Sequence, residues 1–196
     1  LGDVYKRQSE FFPSNPVSNL YPNFCGEIGG LGFVVSKPGL GKSSLATLIG
    51  IHSLLRGDTV LHISLKSPQQ HVRKRYDHTL ESLLVADTIV ETIEMRKSLE
   101  QNRLVHSRLN QACGVQDIDE KIELFQTLLD FKPKVVIIDG LDTLWDDDTL
   151  RSWSNLGMQF GCMVWITTEQ SVNAVHKFEI LESDLGVYIH SNNTSM

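Results

Sequence analysis

Cysteine is scarce in this chain: Cys25, Cys113 and Cys162 are the only three among 196 residues, far apart and with no CxxC pair. That excludes a disulfide framework and a thiolate zinc site, and the three read as reduced thiols of a cytoplasmic protein. Long apolar runs are missing too. Charged or polar residues interrupt every one before the ~18 to 20 residues that a membrane span requires, so no membrane partner is expected. Positive charge is in the minority, with 18 Lys+Arg against 24 Asp+Glu and a net charge of −6. Such a balance argues against a general nucleic-acid binder while leaving room for a local basic patch. The seven histidines show no ligand spacing, and no internal repeat is visible. What is present is 41% hydrophobic residues, in a chain long enough for one core to bury roughly 70% of the unfolded surface.

Residues 1–24 read as an irregular leader. Within it, residues 1–8 (LGDVYKRQ) resemble a leader that recurs on translated metagenomic fragments and are expected to be an assembly artefact. Pro, Ser, Asn and Gly keep residues 9–30 irregular. From there, short β-type runs alternate with helical patterns. Strands are expected at 31–36, 59–65, 134–139, 162–167 and 186–190, and helices at 43–56 and 149–160. Residues 68–110 read as helical but loosely periodic, within a helical insert of about 68–116. Asp117 and Glu120 have the spacing of a capping box for a following helix. Alternation of this kind implies an α/β fold, a three-layer parallel sheet with helices on both faces, spanning 25–196.

Chemistry is concentrated in FVVSKPGLGKSSLA, residues 33–46. A strand runs into a Gly/Pro turn, then Gly41-Lys42-Ser43, then a helix. Gly39 and Gly41 let the backbone bend so that successive N–H groups point inward, and the helix start adds its positive dipole end. A phosphate chain would be cradled by Ser36, Lys37, Pro38, Gly39, Leu40, Gly41, Lys42, Ser43 and Ser44. Lys42 would reach the β- and γ-phosphates, and the Ser43 hydroxyl would join a magnesium shell. The pattern is G-x-x-x-x-G-K-[ST] with its first glycine replaced by Ser36. An ordinary strand–turn–helix with a solvated lysine is the competing reading. Against it stands KVVIID, about a hundred residues downstream, which ends a buried strand on Asp139 and would set a second magnesium ligand at the same sheet edge.

The segments SKPGLGKSSLA, VLHISLKSP and KVVIIDGLDTL resemble the RecA-like P-loop ATPases, in particular KaiC-type proteins and replicative helicases of the DnaB type. Helicase relatives commonly lack the first motif glycine and carry a basic residue and proline, as Lys37-Pro38 does here. The run CMVWITTE and the later ESDLGVYIH are similar to the end of a KaiC-type core. The resemblance implies ATP and magnesium as cofactors, Gln170 as a γ-phosphate sensor and a homo-oligomer with nucleotide at the subunit boundary. Arg75 and Lys177 are candidate fingers for such a boundary.

One departure bears on catalysis. The family's second strand ends in a Ser-apolar-Glu motif whose glutamate polarises the attacking water, and this chain reads Ser64-Leu65-Lys66. The residue after Asp139 is Gly140, so neither usual position supplies a base. Losing such a group costs about 10²–10⁴ in rate. Asp142 and Glu169 are the candidate substitutes, with Lys42 the third catalytic candidate. The expectation is a magnesium-ATP-binding protein with weak or absent hydrolysis. An active ATPase acting on nucleic acid or a protein partner, and a small-molecule kinase with an arginine lid between Arg96 and Arg108, are the alternatives.

Other features have plainer readings. The run His71 to Arg75 reads as a solvated helical face, and Asp148 among three consecutive aspartates as an N-cap for Thr149 onward. Arg56-Gly57-Asp58 falls at a helix end. Trp145, Trp153 and Trp165 read as packing residues.

Overall fold

The computed structural model describes residues 28–83, 93, 96–97, 99–108, 113–142, 146–169 and, by backbone alone, 186–190. The elements are β1 Leu31–Ser36, α1 Lys42–Leu55, β2 Val60–Ser64, α2 Gln69–Leu83, β3 Arg103–Ser107, α3 Val115–Leu129, β4 Val135–Asp139, α4 Asp147–Phe160, β5 Met163–Glu169 and β6 Gly186–His190. They build an α/β fold around a six-stranded sheet in the order β3-β2-β4-β5-β1-β6. The first five of these strands run parallel, and β6 pairs antiparallel with β1.

Every residue of β1, β2 and β4 is buried, which explains why their sequences are nearly unbroken apolar runs. Successive side chains go to opposite faces. Val34, Val60, Val135, Ile137 and Trp165 join Ile49 and Leu54 of α1 and Val72 and Tyr76 of α2 in one apolar cluster. Phe33, Leu61, Ile63, Val136, Ile138 and Ile166 join Ile118 and Ile122 of α3 and Trp153 and Leu156 of α4 in another. Each fully buried aliphatic side chain contributes about 1.5–3 kcal/mol, so these clusters hold the strand ends in place. Trp165 needs a gap opposite it. Gly32 is its partner across the β1/β5 ladder, where an added Cβ would lie 2.2 Å from the indole ring.

Three local expectations are corrected. Residues 68–110 are not helical throughout: β3 lies within them and pairs parallel with β2. Only Val105 of that strand is fully buried, so its sequence shows little of the pattern of an inner strand. Asp117 is not the N-cap of its helix. It sits in the first turn of α3 and accepts from the Gly114 N–H at 2.8 Å. Nor does Asp148 cap α4; Asp146 does, accepting from the Thr149 N–H at 2.8 Å. Trp153 and Trp165 are buried as expected, while Trp145, Cys25 and residues 1–24 lie outside the described residues. Among the described residues, no helix is long and apolar enough to cross a membrane.

The register decides where function can sit. Ser36 pairs with Glu169, Ser64 with Asp139, and Asp139 with Thr167. The carboxyl ends of β1, β2, β4 and β5 therefore share one edge, where open parallel sheets place ligands.

Candidate functional site

The loop between β1 and α1 owes its shape to two glycines. Gly39 and Gly41 have φ of +83° and +90°, and an added Cβ would meet nothing within 4 Å at either. Backbone conformation, not space, is what requires glycine there. Gly41 is the N-cap of α1, with no side-chain cap and no acidic residue in the first turn. The first turn of α1 thus supplies no carboxylate of its own to the helix's positive end, unlike those of α3 and α4. Lys42 Nζ turns back over the loop, donating to the carbonyl oxygens of Ser36 and Lys37 at 2.8 Å each. Burial lowers the Lys42 ammonium below its ordinary range, and Lys66 adds to that, while Glu169, Asp142 and Asp139 pull it back up.

Ser43 and Asp139 lie 96 residues apart in the chain and meet directly. Ser43 Oγ donates to Asp139 Oδ1 at 2.9 Å. Thr167 Oγ1 donates to the same oxygen at 2.7 Å and accepts from the Gly140 N–H at 2.8 Å, so β5 fixes the end of β4. The other carboxylate oxygen faces α2. Arg75 Nη1 lies 3.4 Å from Asp139 Oδ2 and 3.5 Å from the Ser43 carbonyl oxygen. His62 Nε2 lies 3.8 Å from Oδ2, too far for a hydrogen bond, while its Nδ1 is 3.1 Å from the Tyr76 hydroxyl. The Asp139 side chain is only 4% exposed. Burial alone would raise its pKa; the His62 ring and the hydroxyls of Thr167 and Ser43 outweigh it and hold the carboxyl well below the usual range.

A second charged group occupies the same edge. Lys66 Nζ lies 2.6 Å from Glu169 Oε1 and 2.9 Å from Asp142 Oδ2. Its aliphatic stem lies along Gly140, where an added Cβ would come within 2.8 Å of Lys66 Cγ. Burial would lower the Lys66 ammonium, but hydrogen bonds to Glu169 and Asp142, with their charges, outweigh it and raise the pKa above its ordinary value. Lys66 is therefore protonated at neutral pH and cannot take a proton from water.

The sequence-predicted residues thus converge. Ser36, Lys42, Ser43, Asp139, Asp142 and Glu169 share the edge, joined by Lys66, and Lys37, Pro38, Gly39, Leu40 and Ser44 are exposed around the turn. Gln170 and Lys177 lie outside the described residues. Arg75 is a correction: it leaves the solvated face of α2 and reaches Asp139, whereas His71, Arg73 and Lys74 are exposed as expected. Sequence reasoning missed Thr167 and His62. A histidine inside the otherwise apolar run VLHIS was the available signal for the latter, since a fully buried imidazole needs a polar partner.

The arginines proposed for a lid are engaged elsewhere. Arg96 pairs with Glu81 at 2.9 Å, Arg103 stacks over the Tyr76 ring, and Arg108 pairs with Asp117 at 2.7 Å. A cavity of about 210 Å³ lined by Tyr76, Arg96 and Arg103 lies beside α1 and α2, apart from the loop. Among the described residues, no group of three or more His, Cys, Asp or Glu is arranged to hold a metal ion. The hard oxygens of Ser43 and Asp139 suit magnesium, which needs few protein ligands and keeps several waters. Compared with known proteins, the chain matches no family model and no curated sequence.

Proposed function

We propose that this chain is a RecA-like nucleotide-binding domain that takes magnesium-ATP at the loop from Ser36 to Ser44 and hydrolyses it slowly or not at all. The observation that carries the reading is the Ser43–Asp139 hydrogen bond, beside a lysine folded over a glycine turn. In this reading Lys42 and the first-turn amides of α1 bind the phosphates. Ser43 and Asp139 hold magnesium, which supplies charge neutralisation along the phosphate chain when bound. Thr167 and Arg75 orient Asp139.

Slow hydrolysis is supported by the state of the carboxylates. Asp142 and Glu169 are the nearest replacements for the missing base, and one ammonium engages both. The carboxylate oxygens that Lys66 engages are thereby not open to an attacking water. An active ATPase working on a nucleic acid or protein partner is the second reading, favoured by the same closeness, since displacement of Lys66 would free a base at the edge.

Calorimetric titration of the whole chain with magnesium-ATP tests the binding reading. The wild type should bind, and Lys42→Ala should lose binding while keeping its circular dichroism spectrum. Absence of binding, or binding indifferent to Lys42→Ala, would overturn it. Single-turnover phosphate release then separates the two readings: release at the Lys42→Ala background marks a binding module, and release well above it an ATPase.

A further inference from the structure

We propose that Lys66 makes this site prefer a nucleoside triphosphate over a diphosphate, by exchanging Asp142 and Glu169 for the terminal phosphate. The inference rests on the nucleotide-binding reading above and adds the element that reads the length of the phosphate chain.

Three observations support it. First, the Lys66 ammonium is held by contacts open to water. It contacts two carboxylates, and the Lys66 side chain is 45% exposed, with Asp142 at 55% and Glu169 at 34%. Ion pairs so open to water are worth little, so releasing one partner for another is nearly free. Second, its stem is placed. It lies along Gly140, the residue after Asp139, which sets the ammonium at the sheet edge where Ser43 meets Asp139. Third, the Lys66 charge lowers the Lys42 pKa while Glu169 and Asp142 raise it, so Lys66 and its two carboxylates lie within the field of the phosphate loop.

Charge counting gives the direction of selectivity. Lys42, Lys66 and Arg75 balance Asp139, Asp142 and Glu169. The α1 amides serve the phosphates that a diphosphate and a triphosphate share, and Lys42 reaches the third as well. A third phosphate brings further negative charge to an edge that holds two carboxylates, and the ammonium between them is a second cation, beside Lys42, able to meet it. Remove Lys66 and both carboxylates face that phosphate unpaired. Remove Glu169, and the ammonium loses its closest competitor for the phosphate. The two substitutions should therefore move triphosphate affinity in opposite directions, which a loss of structure cannot imitate.

The test is a competition titration of the full chain against a fluorescent nucleotide, with magnesium-ADP and the magnesium complex of an ATP analogue carrying a β–γ imido bridge. Lys66→Gln should weaken the triphosphate analogue by on the order of tenfold or more, the worth of a hydrogen bond to a charged group. The same variant should change ADP affinity by less than about fivefold. Lys66→Arg should restore the preference, and Glu169→Gln should strengthen the triphosphate analogue relative to ADP. Equal effects of Lys66→Gln on both nucleotides, no effect on either, or a weakened triphosphate in Glu169→Gln would overturn the inference alone, provided ADP binding still depends on Lys42. If the wild type binds neither nucleotide, the nucleotide-binding reading falls and the inference falls with it.

Discussion

Asp139 and Lys66 stand at the same sheet edge, one ending β4 and the other just beyond β2, yet they are held in opposite ways. Asp139 is 4% exposed, and both its oxygens are engaged, by Ser43 and Thr167 on one side and Arg75 on the other. Lys66 is 45% exposed and is held by two carboxylates that are themselves open to water. In a dry environment, a lost partner leaves a polar group unsatisfied, so the arrangement resists change. In water, each ion is nearly as well solvated apart as together. One charge is therefore a fixed socket and the other an exchangeable contact, and a site that binds and discriminates needs both.

Breaking the socket should produce the largest effect. Asp139→Ala removes the partner of Ser43, Thr167 and Arg75, and should destabilise the fold by about 3 kcal/mol, near the low end for breaking a buried pair because Arg75 keeps some contact with water. Urea denaturation reads this as a lower midpoint at unchanged slope. The same group gives an acid limb. Its folded pKa is depressed, so its stabilisation is fully present above the ordinary carboxylate range near pH 4 and is lost as pH falls through the folded value. Asp139→Asn should flatten that limb, and an unchanged acid profile would mean the carboxylate is not held as described. A smaller step is Thr167→Val, which deletes the donor to Asp139 and the acceptor for the Gly140 N–H while conserving shape. About 1–3 kcal/mol of stability should be lost, again from the urea midpoint.

The difference between socket and contact also explains what could be seen in the residues alone. The loop and Asp139 were legible because their signals are local: two glycines before a lysine and a serine, and an apolar run ending in an acid. The inner strands were legible because burial on both faces leaves unbroken apolar runs. β3 was hidden because an edge strand exposes most of its side chains to partial solvent, and RLVHS carries one fully buried residue. Arg75 was hidden because the charged residues around it on α2 do face water, and only the packing of α2 on the sheet turns this one toward Asp139. That Lys66 would pair with both Glu169 and Asp142 depends on register, since Ser36 lies beside Glu169 and Ser64 beside Asp139. Residues 103 positions apart meet through the sheet, and nothing in either local sequence announces it.

The smallest effect sharpens the contrast most. Lys66→Ala removes two short ion pairs, which on distance alone would rank among the strongest contacts of the edge. Because all three side chains are at least one-third exposed, solvent screening leaves about 0–1 kcal/mol between them. The urea midpoint of Lys66→Ala should therefore lie close to the wild type, far above that of Asp139→Ala. A large loss of stability would show that Lys66 belongs to the socket, and a lysine so fixed could not leave its carboxylates for a phosphate. A near-neutral result leaves it free to do so, because the weakness of an exposed ion pair is what permits the same ammonium to change partners when a more highly charged anion arrives.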